Sequence, residues 1–382
     1  MHQPSSRPDS PIELLRVRAQ ALCADILAGV PAGLVRAAFL GGSAARGEVW
    51  AARVEENWEI YSDLDLYVVV SGPRALGPVR AQAKAASERL PAAGAGARFL
   101  RGADVGVYTL EDLAAQPARP GTVELARESF WLYGDRALLD AVAPGEARAI
   151  AREEALYLLE NRIAELSWVA APADAPRERL ARVLALKTRL DVGAAHLIVD
   201  GSHTPAVRGR AETIRARPPV TMSARVRADL DEAFSDYDRL DAYVRAGSGP
   251  VQVARAAALA ADAWRTLAER VLGAPGGTAA ALVNRRCAHG RRWHNYREFV
   301  RLRHAVGASR GQSVVRGLRL ASFSPRAALR THALVAALRR ADPASRPGLA
   351  AIERYVGRVT GALGFVDGSI ERRAAAAHRA IS

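Results

Sequence analysis

Two aspartates, Asp63 and Asp65, lie at the head of the apolar segment 64–70. The β-branched and aromatic residues of this segment predict a buried strand, in which side chains two residues apart leave the same face. The two Cα atoms then lie roughly 6.6 Å apart. Because aspartate is disfavoured in strands, the pair is expected to have a ligand. Two such carboxylates can share divalent ions about 3.5–4 Å apart, as two-metal phosphoryl transfer requires.

A glycine-rich turn precedes this pair. The apolar run 34–40 predicts a strand, and Gly41, Gly42 and Ser43 after it predict a tight turn that opens a short helix. Glycine lets backbone N–H groups approach a ligand closely, and the start of a helix presents free N–H donors to anions. We therefore expect this turn to hold the phosphates of a nucleoside triphosphate, with Arg46 adding a charged contact.

The surrounding periodicity defines the elements that position these residues. Helices are predicted at 11–29 and 74–90, and a further pair of strands at 97–100 and 103–109. After Pro144 the sequence changes to long helical patterns separated by proline and glycine, without a convincing strand.

The fold class predicted from this order is α+β. A domain with a small mixed sheet is expected over residues 1–142, and an all-helical domain over residues 143–382. The glycine-rich segment 273–277 marks a candidate subdivision of the helical domain.

Two motifs together resemble a known superfamily. The chain contains Gly42-Ser43-Ala44-Ala45-Arg46-Gly47 and then Ser62-Asp63-Leu64-Asp65. This pattern resembles the nucleotidyltransferase superfamily, typified by DNA polymerase β and the aminoglycoside nucleotidyltransferases. In that family a strand, a Gly-Ser turn and an Asp-x-Asp strand are followed by a third acidic residue on a neighbouring strand. The best match for the third acid is Asp104, with Glu111 and Asp112 as alternatives.

The resemblance implies a reaction. A nucleotidyltransferase of this kind moves a nucleoside monophosphate from an NTP, here expected to be ATP, to a hydroxyl of a small-molecule acceptor and releases pyrophosphate. The expected ion is Mg²⁺, with Mn²⁺ as an alternative. By resemblance, Asp63 and Asp65 bind both metal ions, and Asp104 binds the catalytic ion. Asp104 could also act as the base for the acceptor hydroxyl or help to position that base. Gly42 and Ser43 contact the nucleotide phosphates.

The resemblance covers residues 34–135, about a quarter of the chain, and departs from the family in one respect. Nineteen residues separate Ser43 from Asp63, a longer separation than is usual. The surplus, residues 49–61 with two tryptophans, forms part of the acceptor pocket, a lid or a surface excursion.

Charge is distributed unevenly along the 382 residues. The formal net charge is +14, and 52 of the 54 basic residues are arginine. Residues 1–140 carry a net charge of −2 and the remainder +16. The basic part suits phosphate-bearing or acidic ligands, so an RNA acceptor stays open although it is not favoured. The tract 285–304, with interleaved aromatics, either binds nucleic acid or forms a solvated helix face.

Other classes of function also stay open. The chain could transfer AMP to a protein side chain, or it could be a non-catalytic nucleotide-binding or antitoxin-like module. Cys23 and Cys287 are too few and too distant for a zinc site or a disulfide framework. The polar segment 1–11 lacks the apolar core of a signal peptide, and no apolar run of about 18 residues follows. We therefore expect a cytoplasmic protein without a membrane partner.

Overall fold

The structure of the chain is a computed structural model that describes residues 10–94, 96–141, 150–169, 174–287, 332–339 and 346–362. It is an α+β protein, as the sequence predicts. Its strands are β1 (Val35–Leu40), β2 (Ala51–Val54), β3 (Asn57–Ile60), β4 (Leu64–Val70), β5 (Ala93–Gly94), β6 (Ala97–Phe99), β7 (Ala103–Thr109) and β8 (Phe130–Gly134).

The first helix begins at a capping residue that is followed by proline. Ser10 caps the first helix by accepting a hydrogen bond from the backbone N–H of Glu13, and Pro11 follows it at the first helical position. The helices are α1 (Pro11–Ala28), α2 (Gly42–Ala45), α3 (Pro73–Arg89), α4 (Leu110–Ala114), α5 (Pro120–Glu128), α6 (Glu153–Val169), α7 (Ala175–Asp200), α8 (Val207–Ala216), α9 (Ala224–Asp238), α10 (Leu240–Arg245), α11 (Gly249–Val271), α12 (Ala279–Cys287), α13 (332–339) and α14 (Arg346–Ala362). A 3₁₀ turn covers Arg136–Ala141.

The described strands form two four-stranded sheets, where the sequence predicted one small sheet. Sheet A has the order β7-β4-β1-β8, and sheet B has the order β2-β3-β6-β5. Both sheets are mixed, because β4 pairs with β7 and β3 with β6 in parallel while the other pairs are antiparallel. The prediction of a single sheet was wrong because the segment 49–61 forms the hairpin β2–β3, which recruits β6 as its neighbour.

Sheet A is buried on both faces. Leu66, Val68 and Val70 of β4 pack with apolar residues of α1 and α3 on one face. On the other face, Phe39 and Val69 pack with apolar residues of α4 and α5. Each large aliphatic side chain buried in this way contributes about 1.5–3 kcal/mol to the free energy of unfolding. This two-sided core holds the strands that bear the predicted site.

The edge strand β8 is not among the strands that the sequence predicts. It pairs antiparallel with β1, with a shift of register between Ala38 and Phe39. Phe130 and Leu132 pack towards the core, whereas Trp131 and Tyr133 are exposed. Two large exposed aromatics obscure the alternation that identifies a half-buried strand.

The chain forms two compact units. Unit 1 comprises Met1–Glu154, Asp200–Pro218 and Phe234–Gly247. Unit 2 comprises Ala155–Val199, Pro219–Ala233 and Ser248–Ser382. The predicted boundary after residue 142 falls on residues outside the described ranges and stays a prediction, as does the subdivision at 273–277.

Every described element of unit 2 is helical. Residues 180–199 of α7 are buried almost without interruption and include the fully buried Arg189, which donates a hydrogen bond to Asp229. Both cysteines of the chain, Cys23 and Cys287, are buried. Within the described ranges, no helix combines the length and apolar character that a membrane crossing needs.

Candidate functional site

The parallel pairing of β4 with β7 brings two of the predicted acids together. Asp65 and Asp104 are register partners, so their side chains leave the same face of sheet A from adjacent strands. Asp63 lies one residue before β4, and the backbone N–H of Leu64 still donates to the carbonyl of Gly102 at 3.2 Å. The ladder therefore extends to the start of β7, and all three aspartates lie at the same end of the two strands.

Alternation along β4 explains why the acids remain accessible in so apolar a strand. Leu64 and Leu66 point into the core formed with α1 and α3, and each is 1% exposed. Asp65 lies between them in sequence and leaves the opposite face, where it is only partly buried. The two buried leucines thus hold β4 in place, and the alternation of side chains along β4 directs the carboxylate of Asp65 to the opposite face.

The glycine turn closes directly against Asp65. The backbone N–H of Gly41 donates to the carbonyl of Asp65 at 2.8 Å. Gly42 has a φ of +65°, and a Cβ placed on it would lie 2.0 Å from Oδ2 of Asp65. The position requires glycine for two reasons: its φ is positive, and a Cβ would collide with the carboxylate of Asp65.

Ser43 lies inside the short helix that the glycine turn opens, not at its N-cap. Helix α2 begins at Gly42 with Gly41 at its N-cap, so Ser43 is its second residue. The hydroxyls of Ser43 and Ser62 are hydrogen-bonded, with 3.2 Å between the two Oγ atoms. Ser62 in turn accepts from the backbone N–H of Trp50 at 2.8 Å. These bonds tie the turn to the start of β4.

A Gly42→Ala substitution is expected to disrupt the site far more than Gly47→Ala. Both glycines have positive φ, +65° and +78°, so both variants incur about 1–2 kcal/mol of backbone strain. At Gly47 the nearest atom to an added Cβ is Cδ1 of Ile12 at 3.5 Å, an ordinary contact. Only Gly42→Ala therefore displaces Asp65. Its melting temperature, measured by thermal denaturation, should fall further than that of Gly47→Ala. Equal effects in the two variants would show that the contact with Asp65 is unimportant.

An arginine that the sequence analysis did not single out contacts the acids. Arg101 Nη2 donates to Asp63 Oδ2 at 2.8 Å, and the two side chains are 20% and 24% exposed. Arg101 lies in the loop between β6 and β7, two residues before the start of β7. In an arginine-rich chain, nothing in the spacing distinguishes it from other arginines.

The carboxyl of Asp104 is electrostatically coupled to Asp63. Partial desolvation raises the pKa of Asp104, and the negative charge of Asp63 raises it further, while Arg101 opposes the increase. Part of the Asp104 side chain still reaches solvent. The two carboxylates are therefore close enough to repel each other, and a bound cation would relieve that repulsion.

Two tyrosines line the same face beside the aspartates. The rings of Tyr67 and Tyr108 are stacked, with centroids 6.1 Å apart. A Cβ on Gly41 would lie 2.8 Å from the ring of Tyr67, and one on Gly106 would lie 2.4 Å from the ring of Tyr108. Each ring thus occupies the space above a glycine. Tyr67 lies two residues after Asp65 and shares its strand face, which is the signal that could have identified it.

Burial and nearby charges raise the pKa of both phenols. Burial raises the pKa of Tyr67, and the charges of Asp65, Glu124 and Asp104 add to the increase. Burial and the charge of Asp104 also raise the pKa of Tyr108. Both side chains are therefore neutral hydrogen-bonding groups at neutral pH.

Arg46, the predicted phosphate contact, is engaged by carboxylates. It is hydrogen-bonded to Glu124 of α5 and, at 3.3 Å, to Glu48, and its side chain is 11% exposed. Burial alone would lower the pKa of Arg46, but the charges of Glu124, Glu48 and Glu128 outweigh it and raise the pKa. In this arrangement Arg46 joins the glycine turn to α5. Its phosphate contact stays a prediction.

The segment 49–61 is built into unit 1. Trp50 is 4% exposed, and its ring lies 5.0 Å from that of Tyr237. The backbone N–H of Arg53 donates to Asp241 of α10 at 2.9 Å. The hairpin β2–β3 of this segment therefore connects sheet B to α10, and the buried Trp50 ring packs against protein.

Three carboxylates on adjacent strands are the donor set that a hard divalent ion prefers. Among the described residues, no three His, Cys, Asp or Glu side chains already form a cluster that could hold an ion. The carboxylate of Asp63 is hydrogen-bonded to Arg101. The coupling of Asp104 to Asp63 nevertheless fits a shared cation, so we regard Asp63, Asp65 and Asp104 as a suitable ligand set.

Only the first residues of the basic tract 285–304 are described. Arg286 is 3% exposed and forms a buried ion pair with Glu160, at 2.9 Å from Nε to Oε1. Residues 288–304 lie outside the described ranges, so nucleic-acid binding by the tract stays a prediction.

A scan of the chain against protein-family models matches none of them, and a search of curated proteins returns no match either.

Proposed function

We propose that the chain is a Mg²⁺-dependent nucleotidyltransferase that moves a nucleoside monophosphate from an NTP to a hydroxyl of a small-molecule acceptor. ATP is the expected donor. The observation that carries the proposal is the register of Asp65 with Asp104 beside a glycine turn that closes on Asp65. Acidic residues and an anion-binding turn rarely meet at one sheet edge for structural reasons alone, because carboxylates near each other cost folding free energy.

The proposed step exchanges one P–O bond for another. The acceptor oxygen forms a bond to the α-phosphorus, while the bond from that phosphorus to the oxygen bridging to the β-phosphate breaks. Pyrophosphate leaves with the electron pair of the broken bond. The proton of the acceptor hydroxyl passes to Asp104, whose raised pKa makes it a better proton acceptor than an ordinary aspartate.

The chain's own groups hold the substrate in place. The first N–H groups of α2, at Gly42 and Ser43, are free to donate to phosphate oxygens. Since α2 has only one turn, this contribution depends on the close backbone approach that Gly42 allows. Mg²⁺ held by Asp63, Asp65 and Asp104 would neutralise charge on the phosphates, and Mn²⁺ could replace it.

A transfer assay tests this proposal and identifies the acceptor class. The purified chain is incubated with Mg²⁺ and NTPs labelled at the α-phosphate, in the presence of separate small-molecule, RNA and protein fractions of a cell extract. We expect the label of ATP to move into the small-molecule fraction, with equimolar release of pyrophosphate.

Two variants make the assay specific to this site. Asp65→Asn should reduce transfer by about 10³-fold or more, because several kcal/mol of charge stabilisation are lost. Glu88→Gln removes an exposed carboxylate on α3 and should have no effect. Label in RNA or protein would assign those acceptors instead. No pyrophosphate release from any fraction, with Mg²⁺ or Mn²⁺, would overturn the proposal in favour of a non-catalytic module.

A further inference from the structure

The contact between Arg101 and Asp63 places a positive charge among the candidate metal ligands. The guanidinium of Arg101 is hydrogen-bonded to Asp63 at 2.8 Å, and the two side chains are mostly buried, with exposures of 20% and 24%. The same guanidinium acts electrostatically on Asp104, where it opposes the increase in pKa that Asp63 causes. One arginine therefore interacts with two of the three carboxylates that a divalent ion would use.

The loop that bears Arg101 is held in place at both ends. The backbone N–H of Leu100 donates to the carbonyl of Ile60 at 2.9 Å, and the carbonyl of Gly102 accepts from Leu64 at 3.2 Å. The backbone position of Arg101 is thus fixed against β3 and the start of β4. The long side chain can still change its rotamer without moving the strands.

We propose that Arg101 binds Asp63 in the ion-free protein and competes with a divalent cation for this carboxylate, so that ion and nucleotide bind cooperatively. This inference rests on the proposed function and extends it to the order in which the site is filled.

The physical basis is competition between cations for one carboxylate. A divalent ion at Asp63 must break a charge-assisted hydrogen bond and lies near the positive guanidinium, which weakens its binding. The phosphates of a nucleotide offer the released guanidinium a new anionic partner with matching geometry. Each ligand therefore raises the affinity for the other, as thermodynamic linkage requires.

Titration with Mn²⁺ alone tests the competition. Binding to the full-length chain is followed by the loss of the free Mn²⁺ signal in electron paramagnetic resonance. We expect Arg101→Gln to bind Mn²⁺ about tenfold more tightly than the unmodified chain, since one charge-assisted contact no longer has to be broken. Arg101→Lys keeps the charge and should stay close to the unmodified chain. Arg98→Gln removes an equal charge from an arginine of β6 that is 53% exposed, and should change the affinity less than about twofold.

A second titration, with saturating α,β-methylene-ATP, tests the coupling. The analogue should strengthen Mn²⁺ binding to the unmodified chain several-fold more than to Arg101→Gln, because only the former contains a guanidinium to be transferred to phosphate.

The outcomes separate this inference from the proposed function. Equal or weaker Mn²⁺ binding by Arg101→Gln would overturn the competition, and equal enhancement by the analogue in both proteins would overturn the coupling. Either result leaves the nucleotidyltransferase proposal intact. Absence of Mn²⁺ binding to every form, with and without the analogue, would overturn both.

Discussion

Replacement of Asp104 by asparagine is expected to abolish nucleotidyl transfer and at the same time to raise the melting temperature slightly. The loss of activity should be about 10³-fold or more, because a metal ligand and the expected proton acceptor are removed together. Stability should rise because folding raises the pKa of Asp104 through desolvation and through the charge of Asp63. A group with a raised pKa in the folded state destabilises the fold when it is ionised.

The sign of the stability effect follows from this shift. Above its folded-state pKa, Asp104 is ionised in a site that disfavours the charge, and the cost disappears as the pH falls through that pKa. Asparagine removes the cost at neutral pH without changing the shape of the side chain. We expect a rise of about 1–2 °C, kept small by the exposure of the carboxyl to solvent.

Asp63→Asn is expected to change the melting temperature in the opposite direction from Asp104→Asn. Transfer should be lost here too, but this variant leaves the guanidinium of Arg101 without the charge of Asp63. A pair that is mostly but not fully buried, as this one is, contributes about 1–2 kcal/mol, between the values for exposed and buried pairs. The melting temperature should therefore fall by several degrees. Thermal melts at pH 7.5 and transfer assays on both variants check the pair of predictions.

A further variant serves as the activity control. Glu111 lies in the exposed first turn of α4 and was an alternative for the third acid. Glu111→Gln should keep the full transfer rate if Asp104 is the third acid. A stability loss in Asp104→Asn equal to that in Asp63→Asn, or a loss of transfer in Glu111→Gln with normal transfer in Asp104→Asn, would contradict this part of the account.

Truncation of Glu160 is expected to produce a large loss of stability in unit 2. The carboxylate is fully buried and accepts hydrogen bonds from Nε1 of Trp264 at 3.1 Å and from Nε and Nη2 of Arg286 at 2.9 and 3.2 Å. Glu160→Ala leaves a buried guanidinium and a buried indole N–H without this partner. Removal of one member of a buried ion pair costs about 3–5 kcal/mol. The melting temperature of unit 2 should fall by about 10 °C or more.

Two matched variants distinguish the buried pair from a general loss of charge. Asp262 is 50% exposed, and its Oδ1 lies 3.9 Å from Nη2 of Arg265. Asp262→Ala should therefore change the free energy of unfolding by less than about 0.5 kcal/mol. The double variant Glu160→Met with Arg286→Met removes both charges and should recover most of the stability. Differential scanning calorimetry measures all three. A similar melting temperature for Glu160→Ala and Asp262→Ala would contradict the assignment.

The strands of the candidate site could be predicted from the sequence because local signals determine them. The segment around Asp65 is β-branched, apolar and bounded by turn residues, and its strand in the structure, β4, covers Leu64–Val70. The strand with Asp104 was likewise predicted at 103–109 and lies there. That the two acids lie on neighbouring strands is an expectation taken from the resemblance. The parallel pairing, with the two acids in register, is seen only in the structure.

The interactions that depend on distant residues could not be predicted. Arg101 and Asp63 are 38 residues apart, and Glu160 and Arg286 are 126 apart. Arginine is so frequent in this chain that its position in the sequence indicates no partner. The sequence leaves the role of the segment 49–61 open between acceptor pocket, lid and surface excursion. Its hairpin belongs to sheet B only through the pairing of β3 with β6, which is distant in sequence.

A crystal structure of the chain soaked with α,β-methylene-ATP and Mn²⁺ tests the central claim most directly. We predict anomalous density for Mn²⁺ between the carboxylates of Asp65 and Asp104, with the nucleotide phosphates against the backbone of Gly42 and Ser43. Nucleotide and ion bound elsewhere on the chain, or absent at concentrations that saturate binding in solution, would contradict the claim.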